Sequence, residues 1–203
     1  EWQHEFKQEL DLIQHVRLEG AFGVLVPTAR MLDSDIDQSF AVSLGSGGAW
    51  GIPLKGSLEV QMHQKLSAGV CVDMLWLSDV TKPRRLKTHL NQTEYLLLSK
   101  GRARLQHART GRFNLFSRLQ LPVEGLWASF SYHFAKTGDH TLIPEDNDFN
   151  STVVNSAESI KESSSHDLLF KIHYSKMQSD TFATPGVSLF VKFPVGGCRM
   201  VKN

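Results

Sequence analysis

Apolar and polar side chains alternate along most of this chain, most clearly in GLWASFSYHF, residues 125–134. Successive side chains of a β-strand point to opposite faces of its sheet, so a period of two predicts strands with one apolar and one polar face. One face of this segment would carry Leu126, Ala128, Phe130, Tyr132 and Phe134. No helical periodicity of useful length occurs, and we therefore predict an all-β chain.

The same alternation in other segments predicts further strands. Residues 53–64 and 67–76 alternate on either side of the turn HQKL and are predicted to form a hairpin. Residues 102–121 alternate with no obvious turn except Gly111. They could form one long strand or two short ones broken at ARTGR, and we predict one long strand. Near the end of the chain, residues 168–175 and 187–193 show the pattern again.

The connections between these strands alternate in length. The short ones are HQKL, PVEG and QSDTFATP, and the longer ones are Gly45–Gly51, Asp79–Gly101 and Thr137–His166. Tight turns at one end and extended loops at the other are typical of outer-membrane barrels. We predict an antiparallel up-and-down transmembrane β-barrel of about seven to nine strands, with two long loops.

The chain of 203 residues fits a single β-barrel domain over residues 1–203. If HQKL lies on the periplasmic side, the strand directions bring the end of the chain to the outer side. Bacterial barrels close an even number of strands with both termini on the periplasmic side. We therefore expect a partial barrel that lacks its closing C-terminal strand or strands. An alternative is that N-terminal strands are missing as well.

Composition narrows the function classes. The formal net charge of +1 makes no case for nucleic-acid binding. Two cysteines, Cys71 and Cys198, are too few for a disulfide framework or a metal site with paired ligands. We expect no cofactor. No apolar run of about 18 residues occurs, which leaves transmembrane strands as the way to cross a membrane.

The apolar face is predicted to meet lipid. It has hardly any charge in the middle of each strand, where a charge facing lipid costs a few kcal/mol. Aromatic residues fall near the predicted strand ends, as at a membrane interface: Trp76, Tyr132, Phe134, Tyr174 and Phe193. The candidate lipid-facing residues are Leu126, Phe130, Tyr132, Phe170, Ile172, Leu189 and Val191.

The polar face is predicted to line a water-containing lumen. Its arginines would need acidic partners from other strands, such as Glu19, because an unpaired charge in a confined interior is costly. The lumen would favour anions only if the acids fail to neutralise the bases. The candidate lumen-lining residues are Arg102, Arg104, Arg112, Arg118, Glu59, Asp73 and Lys171.

Two other readings of the alternation remain open. In a soluble lipocalin-like barrel the apolar face would point inward and bind an apolar small molecule, and the aromatic residues would pack in the core. A less favoured reading is a barrel-embedded hydrolase, for which Ser131 and His133 share a strand face. We predict that the protein is not an enzyme, because serine and histidine recur by chance on any half-polar strand.

The two long loops carry charge clusters. Glu145, Asp146 and Asp148 form a weak candidate site for a divalent cation or for bridging to lipopolysaccharide, although their spacing does not match an EF-hand loop and our prediction is no metal. The basic run KPRRLK, Lys82–Lys87, is a candidate for lipid phosphates or an anionic polymer. A solvated surface is the simpler reading of both clusters.

Several segments of the chain carry a resemblance to a known family: 84–103, 112–116, 142–159 and 188–197, with GVLVPTA and GIPL upstream. They resemble an uncharacterised porin-like outer-membrane β-barrel family of Gram-negative bacteria, whose members often have intracellular or amoeba-associated lifestyles. The resemblance implies a bacterial outer-membrane barrel that contacts lipid and lipopolysaccharide, with small solutes or ions as possible cargo. It implies no ligand, catalytic residue or oligomeric state.

Overall fold

The computed structural model describes residues 2–6, 13, 15–28, 46–93, 98–175 and 186–198. Nearly all of the regular structure is strand, as the alternation predicts. The strands are β1 Trp2–Phe6, β2 His15–Phe22, β3 Gly51–His63, β4 Leu66–Leu77, β5 Val80–Leu86, β6 Ser99–Gln106, β7 Thr110–Gln120, β8 Leu126–Thr137, β9 Thr141–Pro144, β10 Ser163–Ser175 and β11 Gly186–Cys198. A short helix, α1 Ser151–Val154, and a 3-10 turn, Glu158–Ile160, precede β10.

Eight strands form one antiparallel sheet, called the large sheet below, in the order β1-β2-β3-β4-β7-β8-β10-β11. Apart from the inserted β5, β6 and β9, this is the order of the chain, and it confirms the predicted antiparallel all-β fold. The predicted hairpin of residues 53–64 and 67–76 is confirmed as β3 and β4. Within the described residues β1 pairs only with β2 and β11 only with β10, so these are the edge strands and the sheet is open rather than a closed barrel.

The short and long connections lie at opposite ends of the large sheet. The β3–β4 and β7–β8 turns are short. The β7–β8 turn uses Gly125 at a φ of 78°, which favours glycine, and the Leu121 amide donates to the Leu126 carbonyl at 2.9 Å. The predicted short turn QSDTFATP lies outside the described residues.

The two longest connections at the other end fold into a second unit. Strands β5, β6 and β9 form a three-stranded antiparallel sheet, called the small sheet below. Its apolar core consists of Leu86, Ala103, Leu142 and Val154. Asn155 attaches α1 to β9, because its side chain accepts from the Leu142 amide and donates to the Leu142 carbonyl, both at 2.8 Å.

The prediction of one long strand over residues 102–121 is wrong. These residues form β6 in the small sheet and β7 in the large sheet, separated at residues 107–109. At the break the Ala108 amide donates to His140 Nδ1 at 3.1 Å. Apolar residues occupy odd positions on both sides of the break, which favoured a single strand, but His107 and Arg109 interrupt that row at the break itself.

Three related predictions also need correction. The large sheet has eight strands, within the predicted seven to nine, but the small sheet adds three, so the described part of the chain has eleven. The two long connections are not loops throughout, because they contain the small sheet, α1 and the 3-10 turn. The basic run Lys82–Lys87 lies mostly in β5 rather than in a loop.

The apolar face of the large sheet is continuous and exposed. Cross-strand register aligns Leu58 with Val70, and Leu115 with Tyr132, and the row continues through Leu168 and Phe193. The candidate lipid-facing residues all lie on this face, where Phe130 is 50% exposed and Leu189 is 74% exposed. No helix in the described ranges is long and apolar enough to span a membrane.

The predicted position of the aromatic residues at strand ends holds only in part. Trp76, Phe134 and Tyr174 lie close to the ends of β4, β8 and β10. Tyr132 and Phe193 lie well inside β8 and β11, in the same cross-strand row. Their place was misjudged because β8 and β11 run further than the alternation suggested.

Candidate functional site

The polar face of the large sheet gathers ionisable side chains from separate parts of the chain. Register places Glu59 opposite Arg17, Asp73 opposite both Lys55 and Arg112, and Ser129 between Arg118 and Lys171. Five of the candidate lumen-lining residues therefore share one surface: Arg112, Arg118, Glu59, Asp73 and Lys171. Side chains directly opposite in neighbouring strands lie about 5 Å apart, close enough to interact.

This polar face is concave. A cavity of about 520 Å³ is bordered by residues of β2, β3, β4, β7, β8 and β10, six successive strands. Neighbouring strands are about 4.8 Å apart, so a flat sheet would spread six strands over roughly 24 Å. A single cavity shared by all six requires the sheet to curl around its polar face. A second cavity, of about 530 Å³, continues toward the short turns and is lined by His15, Gln61, Gln120 and Glu124, among others.

Two acids of the concave face, Glu19 and Glu59, are already engaged. Glu59 Oε1 accepts from Ser67 Oγ at 2.8 Å and lies 3.5 Å from Arg118 Nη1. Glu19 accepts from Ser57 Oγ at 3.3 Å and lies 2.8 Å from Arg17 Nε. These contacts give Arg118 and Arg17 the acidic partners that a confined charge needs.

Two aromatic side chains on the polar face were not among the predicted site residues. The guanidinium of Arg118 lies 5.0 Å from the centre of the Phe116 ring and 5.7 Å from that of Trp127, distances at which cation–π attraction acts. Phe116 also covers Gly69, which has no room for a Cβ. An aromatic residue in a polar row opposite a glycine is the sequence signal that would have identified Phe116.

Arg102 and Arg104 do not belong to this surface. They lie in β6 of the small sheet, and both side chains are exposed. Arg102 Nε is 3.2 Å from Glu145 Oε2, and Arg104 Nε is 3.9 Å from Asp79 Oδ2. Their assignment to the row of Arg112 and Arg118 followed from the incorrect single strand.

Two acids of the candidate cation loop, Glu145 and Asp146, contact Arg102. Asp146 Oδ2 accepts from the Arg102 amide at 3.2 Å, and Glu145 pairs with the Arg102 side chain. Asp148 is exposed. Among the described residues no group of three or more histidine, cysteine, aspartate or glutamate side chains is placed to hold a metal ion.

Ser131 and His133 do meet on the polar face. Ser131 Oγ lies 2.9 Å from His133 Nε2. The next carboxylate in the row, Asp167, is opposite His133 in register but lies 3.1 Å from Lys192 Nζ. In the described part of the chain no carboxylate is within 4.0 Å of His133, so the third member of a hydrolytic triad is not supplied.

A half-buried basic cluster is formed by Lys82 and Arg84 of β5 with His107, which directly follows β6, and His140, which directly precedes β9. The basic run of β5 was a candidate from the sequence, but the two histidines beside it were not. The rings of His107 and His140 are 5.6 Å apart, edge to face. Burial lowers the pKa of His107, and the neighbouring His140 lowers it further. Burial, and then Arg84, likewise lower the pKa of His140. Both imidazoles are therefore neutral at pH 7.

The small sheet should lose stability as the pH falls. A histidine with a lowered folded-state pKa contributes stability above its ordinary pKa of 6.5, and this contribution is lost as the unfolded chain takes up protons below that value. Protonation of His140 Nδ1 would also break its hydrogen bond with the Ala108 amide. Urea midpoints measured by NMR of β6 amides should fall from pH 7.5 to about pH 5.

A double variant, His107→Phe with His140→Gln, should flatten this pH dependence. The control His89→Gln removes an exposed histidine from the connection after β5 and should keep the wild-type slope. A midpoint that is constant with pH in the wild type, or a slope that survives in the double variant, would contradict the assignment to His107 and His140.

Comparison of the chain with protein-family models, with curated proteins and with solved structures finds no match. The arrangement of charges, cavities and exposed apolar residues must therefore carry any functional argument.

Proposed function

We propose that this chain forms the wall of a transmembrane β-barrel in a bacterial outer membrane, where it acts as a porin-like passive channel or a structural surface protein. One observation carries the proposal. The large sheet exposes an apolar face while its charges line the concave polar face. A barrel in lipid needs this inverted distribution, with apolar residues outside and polar residues inside.

Exposure of the apolar face supports lipid as its neighbour. Soluble proteins rarely expose a contiguous apolar patch of more than a few hundred Å². Here the exposed large apolar residues extend over β3, β4, β7, β8, β10 and β11, and include Leu54, Val72, Leu115, Phe130, Ile172 and Val191. The only cluster of fully buried apolar side chains in the described part of the chain belongs to the small sheet. No protein layer among the described residues covers this face of the large sheet.

Two polar side chains on the apolar side of the large sheet, Lys136 and His166, lie near the ends of their strands, as the membrane proposal requires. Lys136 shares the apolar side of β8 but lies next to the end of the strand, where its Nζ is 3.2 Å from Glu162. His166, one strand over, hydrogen-bonds Tyr132 Oη through its Nδ1 at 2.5 Å. A charge near a membrane interface costs about 0–1 kcal/mol, far less than at the midplane.

Strand length also fits. Strands β3, β10 and β11 have 13 residues and β4 and β8 have 12. At about 3.4 Å per residue, 12 residues extend roughly 40 Å. Tilted by about 45°, such a strand rises roughly 29 Å, enough for the apolar band of about 25 Å in an outer-membrane barrel. Lipid and lipopolysaccharide are the partners implied.

The lipocalin-like alternative requires the opposite curvature. An apolar ligand would have to lie in a cavity lined by the apolar face. The cavity shared by six strands is lined instead by Arg17, Glu19, Lys55 and other polar residues. This favours the membrane proposal over the lipocalin alternative.

The proposal is tested by extraction and by reconstitution of the full chain. The protein should leave bacterial membranes only with detergent, should run at a different gel mobility before and after boiling, and, if it is a channel, should conduct ions in a planar bilayer. A protein that stays in solution without detergent, with no change of mobility on boiling, would overturn the membrane proposal. A membrane protein that shows the mobility change but does not conduct ions would exclude the channel function and would support the role as a structural surface protein.

A further inference from the structure

We propose that the concave polar face selects small oxyanions, carboxylates or phosphates, and holds them between Arg118 and Lys171 over the hydroxyl of Ser129. This inference rests on the proposed function, because it names the class of solute that the channel would admit. It is carried by an excess of basic over acidic side chains on the concave polar face, where Glu19 and Glu59 already pair with Arg17 and Arg118.

The cavity is lined by four basic and two acidic side chains: Arg17, Lys55, Arg118, Lys171, Glu19 and Glu59. The two acids pair with Arg17 and Arg118. In the part of the chain that the structure describes, neither Lys55 nor Lys171 has a carboxylate oxygen within 4.0 Å. The condition for anion preference, that the acids fail to neutralise the bases, is therefore met.

Asp73 does not remove this excess. It lies opposite Lys55 on one side and Arg112 on the other, so one carboxylate faces two cations. Lys55 and Arg112 both remain exposed. Clefts lined by one sign of charge concentrate ions of the opposite sign.

The row Arg118–Ser129–Lys171 is built to receive an oxyanion. The three residues are directly opposite one another on β7, β8 and β10. Two strand spacings separate Arg118 and Lys171, about 10 Å, and their long side chains can reach an anion between them from both sides. Stacking of the Arg118 guanidinium on Phe116 and Trp127 orients it, and guanidinium binds carboxylate and phosphate through paired hydrogen bonds.

The first experiment measures the reversal potential of the full chain in a planar bilayer under a potassium chloride gradient. The wild type should be severalfold more permeable to chloride than to potassium, and millimolar inorganic phosphate should reduce the chloride current. Lys55→Glu with Lys171→Glu should reverse the preference, and the milder Lys171→Gln should weaken it. Arg104→Glu reverses one charge on the small sheet, outside the cavity, and should leave the preference unchanged.

Each outcome has a separate meaning. Conductance without anion preference would overturn this inference and leave the channel proposal intact. Anion preference that ignores the lysine variants would overturn the residue assignment. Absence of conductance would overturn the channel proposal, and the inference would then depend on the second experiment.

The second experiment requires no conductance. Trp127 lines the cavity, and phenylalanine at Trp2, Trp50 and Trp76 leaves it as the single tryptophan. In detergent, iodide should quench Trp127 fluorescence severalfold more strongly than caesium does, and Lys171→Gln should reduce the difference. Equal quenching by the two ions would overturn the inference even in a protein that conducts.

Discussion

Replacing Leu58 by arginine is expected to lower the free energy of unfolding of the lipid-embedded chain by about 2 to 4 kcal/mol, the cost of arginine on the lipid face near the midplane of a barrel. Leu58 lies in the middle of β3, on the apolar face between Leu18 and Val70. Urea titration after refolding into lipid vesicles would measure the loss, and the yield of folded barrel should fall with it.

The neighbouring residue supplies a matched control. Ser57→Arg adds the same side chain one position earlier in β3, on the polar face opposite Glu19. It removes the hydrogen bond of Ser57 Oγ with Glu19 but sets a guanidinium beside that carboxylate, so the free energy of unfolding should change by no more than about 1 kcal/mol. Leu58 is 36% exposed, so in a water-soluble sheet Leu58→Arg would be nearly as mild as Ser57→Arg. Equal effects of the two variants would refute the membrane proposal.

Leu86→Ala is expected to destabilise the small sheet by about 2 to 5 kcal/mol, the usual range for a buried leucine. Leu86 is 1% exposed and packs with Ala103, Leu142 and Val154. The loss combines the transfer free energy of the removed methyl groups with the cavity they leave. Hydrogen exchange of β6 amides, read by NMR in detergent, would measure it as faster local opening.

The control for this variant is Leu90→Ala, close in the chain but 61% exposed, which should cost well under 1 kcal/mol. Amides of β8 should keep their protection in both variants, because β8 belongs to the large sheet and shares no residue with the core around Leu86. If Leu86→Ala accelerates exchange equally in β6 and β8, the two sheets unfold as one unit and the separation proposed here is wrong.

Much of the large sheet could be predicted because its signals are local. Alternation in residues 53–64 and 67–76 follows from the geometry of one strand, and the turn HQKL between them fixes which residues face each other. The same argument predicts that Phe130 and Phe170 share a face with Val191. For the candidate site, it brings Arg112, Arg118, Glu59 and Lys171 to the opposite face.

The candidate site was predicted less completely than the sheet. Arg102 and Arg104 were assigned to it because the arginines occupy even positions on both sides of residues 107–109, although the chain changes sheets there. Phe116 was missed because one aromatic residue in a polar row looks like an imperfection in the alternation. Its role depends on two other residues: Gly69, which lies opposite it in β4, and Arg118, two residues further along β7.

By itself, the sequence determined that the chain is built of antiparallel strands with one apolar and one polar face, because side-chain alternation is a property of each strand alone. The tertiary structure decided which strands share a sheet, that the polar face is concave, and that, among the residues it describes, Lys55 and Lys171 have no carboxylate oxygen within 4.0 Å. These features depend on contacts between residues far apart in the chain, such as β6 with β9 and Glu59 with Arg118. No local pattern encodes a distance between two such residues, and pairing, curvature and charge balance are all set by those distances.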